Sequence, residues 1–120
     1  MHCNATIFGP ESRVVTDWEK TFFRDVNPFG FIVFARNIES PDQLRRLTAD
    51  LRDTVGRNTP ILIDQEGGRV QRMRSPHWRE YLPALEQMER ARAPMRAQWI
   101  RNRLIAQDLY DVGIDVNCAP

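Results

Sequence analysis

The sequence is nearly without lysine. Lys20 is the only one, so almost all of the positive charge is arginine. With 17 basic and 16 acidic residues the formal net charge is +1. That balance excludes the strongly basic surface that nucleic acid or an anionic membrane face would demand, and the preference for arginine reads as a habit of composition rather than a binding patch. Cysteine is scarce too. Cys3 and Cys118 stand at no metal-ligand spacing and make no disulfide framework, so reduced thiols in a cytoplasmic protein are the simplest reading. No apolar run approaches the ~20 residues of a membrane span. Met1-His2-Cys3-Asn4 lacks the charged and then apolar regions of a secretory leader. Internal repeats, linkers and low-complexity segments are missing as well. What remains is 120 residues, 42% apolar and 28% charged, which suits one domain with a real core.

The chain is organised around Ile61-Leu62-Ile63-Asp64-Gln65-Glu66-Gly67-Gly68-Arg69-Val70-Gln71-Arg72. Ile61–Ile63, announced by Pro60, reads as a short buried strand. Gly67-Gly68 is expected to break it, since paired glycines favour turn conformations. Asp64 then sits at the carboxyl end of a strand and faces a loop, which is where α/β proteins bind ligands. An acid in that place can also do no more than cap a turn. The dense run of hydroxyl- and anion-binding groups around it favours a site.

The remaining segments alternate. Residues 5–8 form a short strand, stopped by Gly9-Pro10. Thr16 and Glu19 have the spacing of a capping box, opening a helix to about Val26 that buries Phe22, Phe23 and Val26. Residues 30–35 form an apolar run suited to a strand covered on both faces, and Arg36-Asn37 leaves it. Ser40 and Gln43 make a second capping box with Pro41 at N1. Its helix carries Leu44, Leu47, Leu51 and Val55 on one face and closes at Gly56. Residues 73–95 are the least regular, with a short helix around 84–92. A longer helix over 95–112 aligns Ile105, Leu109 and Val112, with Ile100 and Leu104 beside them. Gly113 ends it before a last strand at 114–118. Alternation of this kind gives a parallel sheet. A flavodoxin-like sheet and half of an eight-fold barrel both fit the pattern, although no Gly-rich phosphate loop follows the first strand.

The run from Asp64 to Arg72 resembles the signature of family 3 glycoside hydrolases, specifically the bacterial cytoplasmic beta-N-acetylhexosaminidases of peptidoglycan (cell-wall) recycling. Residues 30–37 resemble that family's second strand and its loop, and residues 113–120 its fourth strand. The resemblance implies an α/β fold, the (β/α)8 TIM barrel. Such a barrel takes ~250 residues, so residues 1–120 would be its amino-terminal part, the first four or so strand–helix units. It implies two substrate-binding residues. Asp64 would accept hydrogen bonds from hydroxyls of a terminal N-acetylglucosamine, a task that suits an acceptor-only carboxylate. Arg72 would donate to the sugar or hold the loop, the alternative being a salt bridge to Asp64 or Glu66. Glu66 and Arg69 are read as support for the loop, Arg36 as a surface arginine on the same face, and Trp78 and Tyr81 as packing over the loop.

No catalytic residue is expected within this chain. The family implies a retaining mechanism with an Asp nucleophile and a His acid/base, both beyond Pro120. His77 and His2 are not their equivalents. Asp64 and Glu66, ~6.5–7 Å apart if they share a strand, would approach a bond from one side only. The expected partner is a small-molecule muropeptide or N-acetylglucosaminide, with no nucleic acid, membrane, cofactor or metal. The rival is a truncated, non-catalytic sugar-binding or interaction module, prone to self-association through unpaired sheet edges.

Overall fold

The computed structural model describes residues 2–119; Met1 and Pro120, which begin and end stretches read above, lie outside the described residues. Strand β1 (Asn4–Phe8) leads to helix α1 (Asp17–Val26). The capping box forms in full. Thr16 Oγ1 accepts from the Glu19 N–H at 3.2 Å, and Glu19 Oε2 accepts from the Thr16 N–H at 2.9 Å. Buried Glu19 also accepts from the Glu11 N–H at 2.7 Å, which ties the incoming loop to the helix start. Phe23 is buried edge-on to Phe31, with ring centroids 4.9 Å apart. Phe22 and Val26 are only half-buried, less than expected, since Phe22 stacks on exposed Trp18 at the margin of the core.

Strand β2 (Pro28–Val33) ends before the apolar run does, and a 3₁₀ turn at Ala35–Asn37 follows. The cause is Asn37, which is fully buried. Its Oδ1 accepts from the Phe34 N–H at 2.9 Å, while Nδ2 donates to Pro10 O at 2.9 Å and Ser12 O at 2.7 Å. Helix α2 (Pro41–Val55) starts as expected, with Ser40 Oγ accepting from the Gln43 N–H at 3.2 Å. The other half of the expected box differs. Gln43 Oε1 accepts from the Glu39 N–H at 2.8 Å, and its Nε2 donates to Arg13 O and Asn37 O, each at 2.8 Å. Leu44, Leu47 and Leu51 are buried, and Val55 packs against them half-exposed.

Strand β3 (Ile61–Ile63) pauses at Asp64, and the chain then turns back on itself as β4 (Gln65–Gly67) and β5 (Val70–Gln71). This antiparallel hairpin corrects the expectation that the glycine pair simply ends a strand: Gly67 belongs to β4 and Gly68 to the turn. Both have positive φ, 103° and 62°, where a side chain would be strained. Helix α3 (Ala84–Arg90) falls within the expected 84–92, and α4 (Pro94–Asp111) brings Ile105 and Leu109 into the core, leaving Ile100 and Leu104 exposed. Strand β6 (Val116–Asn117) is shorter than expected. Flanking bonds still hold it to β3, from the Asp115 N–H to Ile61 O at 2.9 Å and from the Cys118 N–H to Ile63 O at 2.8 Å.

Neighbouring strands of the main sheet run β1-β2-β3-β6, every pair parallel. A flavodoxin-like sheet would carry its second strand outside its first. An unbroken sequential order is the order of a barrel wall, so the topology decides what the pattern left open. The shape agrees. A packed domain of this length has a radius of gyration of about 14 Å, whereas this chain has 15.7 Å and extents of 51 × 29 × 20 Å. The buried sheet residues Phe31, Val33, Ile61 and Ile63 share the face that meets the helices. Ile7, Ile32, Leu62 and Val116 occupy the other, and Ile7 and Val116 are 45% and 38% exposed.

Ser40→Ala is expected to cost ~0.5–2 kcal/mol, the usual value of an N-cap. Gln43→Ala is expected to cost more, up to about 3 kcal/mol, because it strips partners from one N–H and two carbonyls. Urea midpoints at constant m-value measure both. A Gln43→Ala shift no larger than that of Ser40→Ala would show that the bridge contributes nothing beyond the cap.

Candidate functional site

Asp64 leaves β3 at its carboxyl end. Its Oδ2 accepts from Arg72 Nη2 at 3.0 Å, and the two side chains are 23% and 27% exposed. The two residues singled out for substrate are therefore in contact, in the pairing held as the alternative for Arg72. Glu66 and Arg69, read as support for the loop, lie on the hairpin, Arg69 exposed at its tip. Both line a cavity of about 430 Å³ beside α4, with Gly67, Gln98, Arg101 and Asn102, and neither Asp64 nor Arg72 lines it.

A chain that reverses straight after a buried strand must satisfy the backbone groups it turns inward. Two buried glutamines do this. Gln65 Oε1 accepts from the N–H groups of Arg72 and Met73, each at 3.0 Å, and its Nε2 donates to Met73 O at 2.9 Å. Gln71 Nε2 donates to Met73 O and Arg79 O, each at 2.8 Å, and its Oε1 accepts from the Tyr81 N–H at 3.1 Å. From β6, Asn117 grips the main chain of Gln65, accepting from its N–H at 2.9 Å and donating to its carbonyl at 3.0 Å. From α4, the buried Arg101 guanidinium donates to Glu66 O, to Leu82 O at 2.5 Å and to Gln87 Oε1 at 2.7 Å. The carboxylate and guanidinium of the site thus flank a hairpin braced from β6 and α4.

Sequence reasoning did not single out Gln65, Gln71, Asn117 or Arg101. One signal was present for Gln65: the buried positions 61, 63, 65 and 67 keep the period of a strand through the acid run. Trp78 and Tyr81, expected to pack over the loop, are partly buried against the hydrophobic core. Burial, and then the nearby Asp108 carboxylate, push the Tyr81 phenol up. His77 is exposed and edge-on to Trp78.

Phe34 lies under the site. Arg36 and Arg72 both place guanidinium carbons over its ring, 4.8 Å and 5.8 Å from the centroid. At the end of β6, partial desolvation and then the Asp64 charge push the Cys118 thiol up, so the field of Asp64 reaches that strand end. Among the described residues no group of His, Cys, Asp and Glu is placed to hold a metal ion, and no helix is long and apolar enough to cross a membrane.

A raised thiol pKa means less thiolate at a given pH. Asp64→Asn removes one cause of the rise, so Cys118 should then alkylate faster with iodoacetamide at pH 8, with Cys3 as the internal reference. Mass spectrometry of the two cysteine peptides reads the ratio, and an unchanged ratio would show that the Asp64 charge does not act on Cys118.

No protein-family profile matches the chain. It is 35% identical over 119 residues to the beta-hexosaminidase of Alkalilimnicola ehrlichii, a match covering 95% of this chain and 34% of that protein. The beta-hexosaminidase of Pseudomonas aeruginosa is 36% identical over 110 residues, which is 88% of this chain and 31% of that protein. Among solved structures, NagZ from Neisseria gonorrhoeae in complex with N-trifluoroacetyl-D-glucosamine matches with a TM-score of 0.85 and 29% identity, over 98% of this chain and 35% of that one. A glycoside hydrolase family 3 beta-N-acetylglucosaminidase from Paenibacillus sp. str. FPU-7 matches with a TM-score of 0.79 and 26% identity, over 95% of this chain and 22% of that one. The chain spans about a third of the length of the curated relatives it matches.

Proposed function

We propose that the chain is an amino-terminal portion of a family 3 glycoside hydrolase of the beta-hexosaminidase kind, to whose members it is similar, and that the protein removes a terminal, beta-linked N-acetylglucosamine from muropeptides. The setting is the cytoplasm and the process is peptidoglycan recycling. Residues 1–120 are the amino-terminal part of the barrel domain and supply part of the sugar site. The observation that carries this is the Asp64–Arg72 pair, held at a strand's carboxyl end on a braced hairpin. The Neisseria relative, in complex with N-trifluoroacetyl-D-glucosamine, supports the sugar class.

Asp64 accepts from the sugar hydroxyls, and Arg72 donates to the ring substituents. The ion pair between them does not bar a ligand. Partly exposed pairs are worth only ~0–1 kcal/mol, so turning a carboxylate lone pair toward a hydroxyl costs little. The retaining Asp nucleophile and the His acid/base lie outside these residues. Against an Asp64–Glu66 catalytic pair stands the engagement of Asp64 by Arg72, away from the cavity beside α4 that Glu66 lines and Asp64 does not.

A second reading is favoured by a separate observation. β1 and β6 lie at the two edges of the sheet, and Ile7 and Val116 are exposed on its helix-free face. The 120-residue chain by itself would then be a sugar-binding or interaction module that self-associates.

Titration of the chain with N-acetylglucosamine, followed by NMR, should move the amide signals of Asp64 and Arg72. Asp64→Asn should weaken binding tenfold or more, since a charge-assisted hydrogen bond contributes ~1.5–3 kcal/mol. Unmoved signals, or a folded Asp64→Asn protein that binds equally well, would sink the assignment. The chain should also show no turnover of a chromogenic N-acetylglucosaminide and a mass above that of a monomer by light scattering. Turnover that Glu66→Gln abolishes would overturn the placement of the chemistry, and a monodisperse monomer would remove the case for self-association.

A further inference from the structure

The outward sides of the two long helices differ. On α2 the exposed residues Arg45, Arg46, Asp50 and Asp53 carry charges of both signs, and Arg45 pairs with Asp42. On α4 the outward side carries Met95, Trp99, Ile100 and Leu104, all exposed, Met95 to 76% and Trp99 to 55%. Ile105 and Leu109 already give α4 the apolar side that the core needs. A second apolar patch, open to solvent and set among polar groups, marks a contact surface.

The overall charge balance hides a local imbalance. Residues 90–107 hold five arginines and no acid. Arg101 is buried and engaged by the hairpin and its surroundings. Arg92, Arg96 and Arg103 are exposed, and among the described residues none of them makes a salt bridge. Two of the three are nevertheless held. Arg96 and Arg103, a turn before and a turn after Trp99, place guanidinium carbons 4.6 Å and 5.8 Å from its ring centroid. Stacking on an indole limits the directions a guanidinium can take and leaves its N–H groups free to pair.

The order of residues around the helix separates the classes of partner. At 3.6 residues per turn, Arg96 and Arg103 fall on one line along the middle of the outward side. Met95 and Trp99 flank that line on one side, Ile100 and Leu104 on the other. A helix that lies on an anionic membrane needs its apolar residues in the middle and its basic ones at the margins, the reverse of this order. A net charge of +1 also gives little long-range pull toward a polyanion. Two guanidiniums seven residues apart, ~10 Å along the helix, with an indole between them, match a facing helix that carries carboxylates at the same interval.

We propose that the outward side of α4 is a docking surface for an acidic amphipathic helix of a partner protein. Its carboxylates at positions i and i+7 pair with Arg96 and Arg103, and its apolar residues at i+3 and i+4 pack on Trp99. Trp and Arg are the side chains that most often dominate the energy of such contacts. The proposal does not depend on the sugar-binding reading of Asp64 and Arg72.

The test uses two synthetic helical peptides, each with leucines at i+3 and i+4 and alanine or glutamine elsewhere. One has Glu at i and i+7 and the other has Gln there. Both are titrated into the 120-residue chain by calorimetry. The Glu peptide should bind about tenfold tighter at low salt, with the margin shrinking as salt rises. The double variant Arg96→Gln, Arg103→Gln should lose the margin. The double variant Arg96→Lys, Arg103→Lys should keep part of it and controls for any change in folding. Trp99→Ala should weaken both peptides. Equal affinities, binding of neither peptide, or a margin that survives the double Gln variant would overturn the proposal. So would a fall in mass by light scattering in Trp99→Ala alone, which would give the face to a second copy of the chain. Sedimentation with phosphatidylglycerol vesicles that the double Gln variant abolishes would give it to a membrane and overturn the proposal as well.

Discussion

One buried amide carries the candidate site. Gln65 lies two residues beyond the end of β3, and its side chain accepts the backbone N–H groups of Arg72 and Met73 while donating to the Met73 carbonyl. Its own main chain is gripped on both sides by Asn117. A parallel strand normally ends in a loop that water can solvate. Here the chain doubles back inside the fold, and every inward group needs a protein partner. Gln65 supplies them over a distance that Asn could not span. Asp64 is placed as a consequence. With its neighbours fixed by the hairpin and by β6, the carboxylate can only project at the open end of the strand, where Arg72 meets it.

The regular parts of the fold were legible in the residues. Helix α1 announces itself by Thr16 and Glu19, and both bonds of that box form. The leucines of α2 fall where their spacing puts them. The hairpin was not legible, because Gly67-Gly68 reads as a stop while the signal for β4 is a polar residue continuing an apolar alternation. The Ser40 box was half legible. The spacing of Ser and Gln predicts that Ser40 caps Gln43, but it does not say which N–H the Gln side chain will find. Asn37 had already bent the chain so that Glu39 presented the nearer one. Arg101 was invisible for a different reason. Its partners Glu66, Leu82 and Gln87 are distant along the chain, and three backbone or amide oxygens leave no charge pattern to read.

The site residues divide along the same line. Asp64 and Arg72 were legible through a contiguous motif and a strand-end position. Their contact was foreseen only as one of several pairings, since the turn that sets the reach between them depends on the hairpin. Fold class shows the same limit. Alternating elements fix a parallel sheet, but barrel wall and doubly wound sheet differ only in which neighbour each strand takes. That depends on pairings such as Leu62 with Val116, far apart in sequence.

The two faces of the sheet explain why the core is sound although one face lies open. Phe31, Val33, Ile61 and Ile63 are sealed beneath the aromatic cluster of α1 and the leucines of α2, and Ile105 and Leu109 extend the same layer from α4. Ile32 and Leu62 on the reverse side are half-buried by one another, because they sit opposite each other on the two central strands. Ile7 and Val116, on the outer strands, lack such a neighbour on one side. Exposure therefore rises from the middle of the sheet to its edges, the gradient expected of a curved wall whose concave side is open. The candidate site lies at the rim of that wall rather than within it. The chain can thus hold the Asp64–Arg72 geometry through local braces, the Gln65, Gln71, Asn117 and Arg101 bonds, none of which depends on what covers the open face.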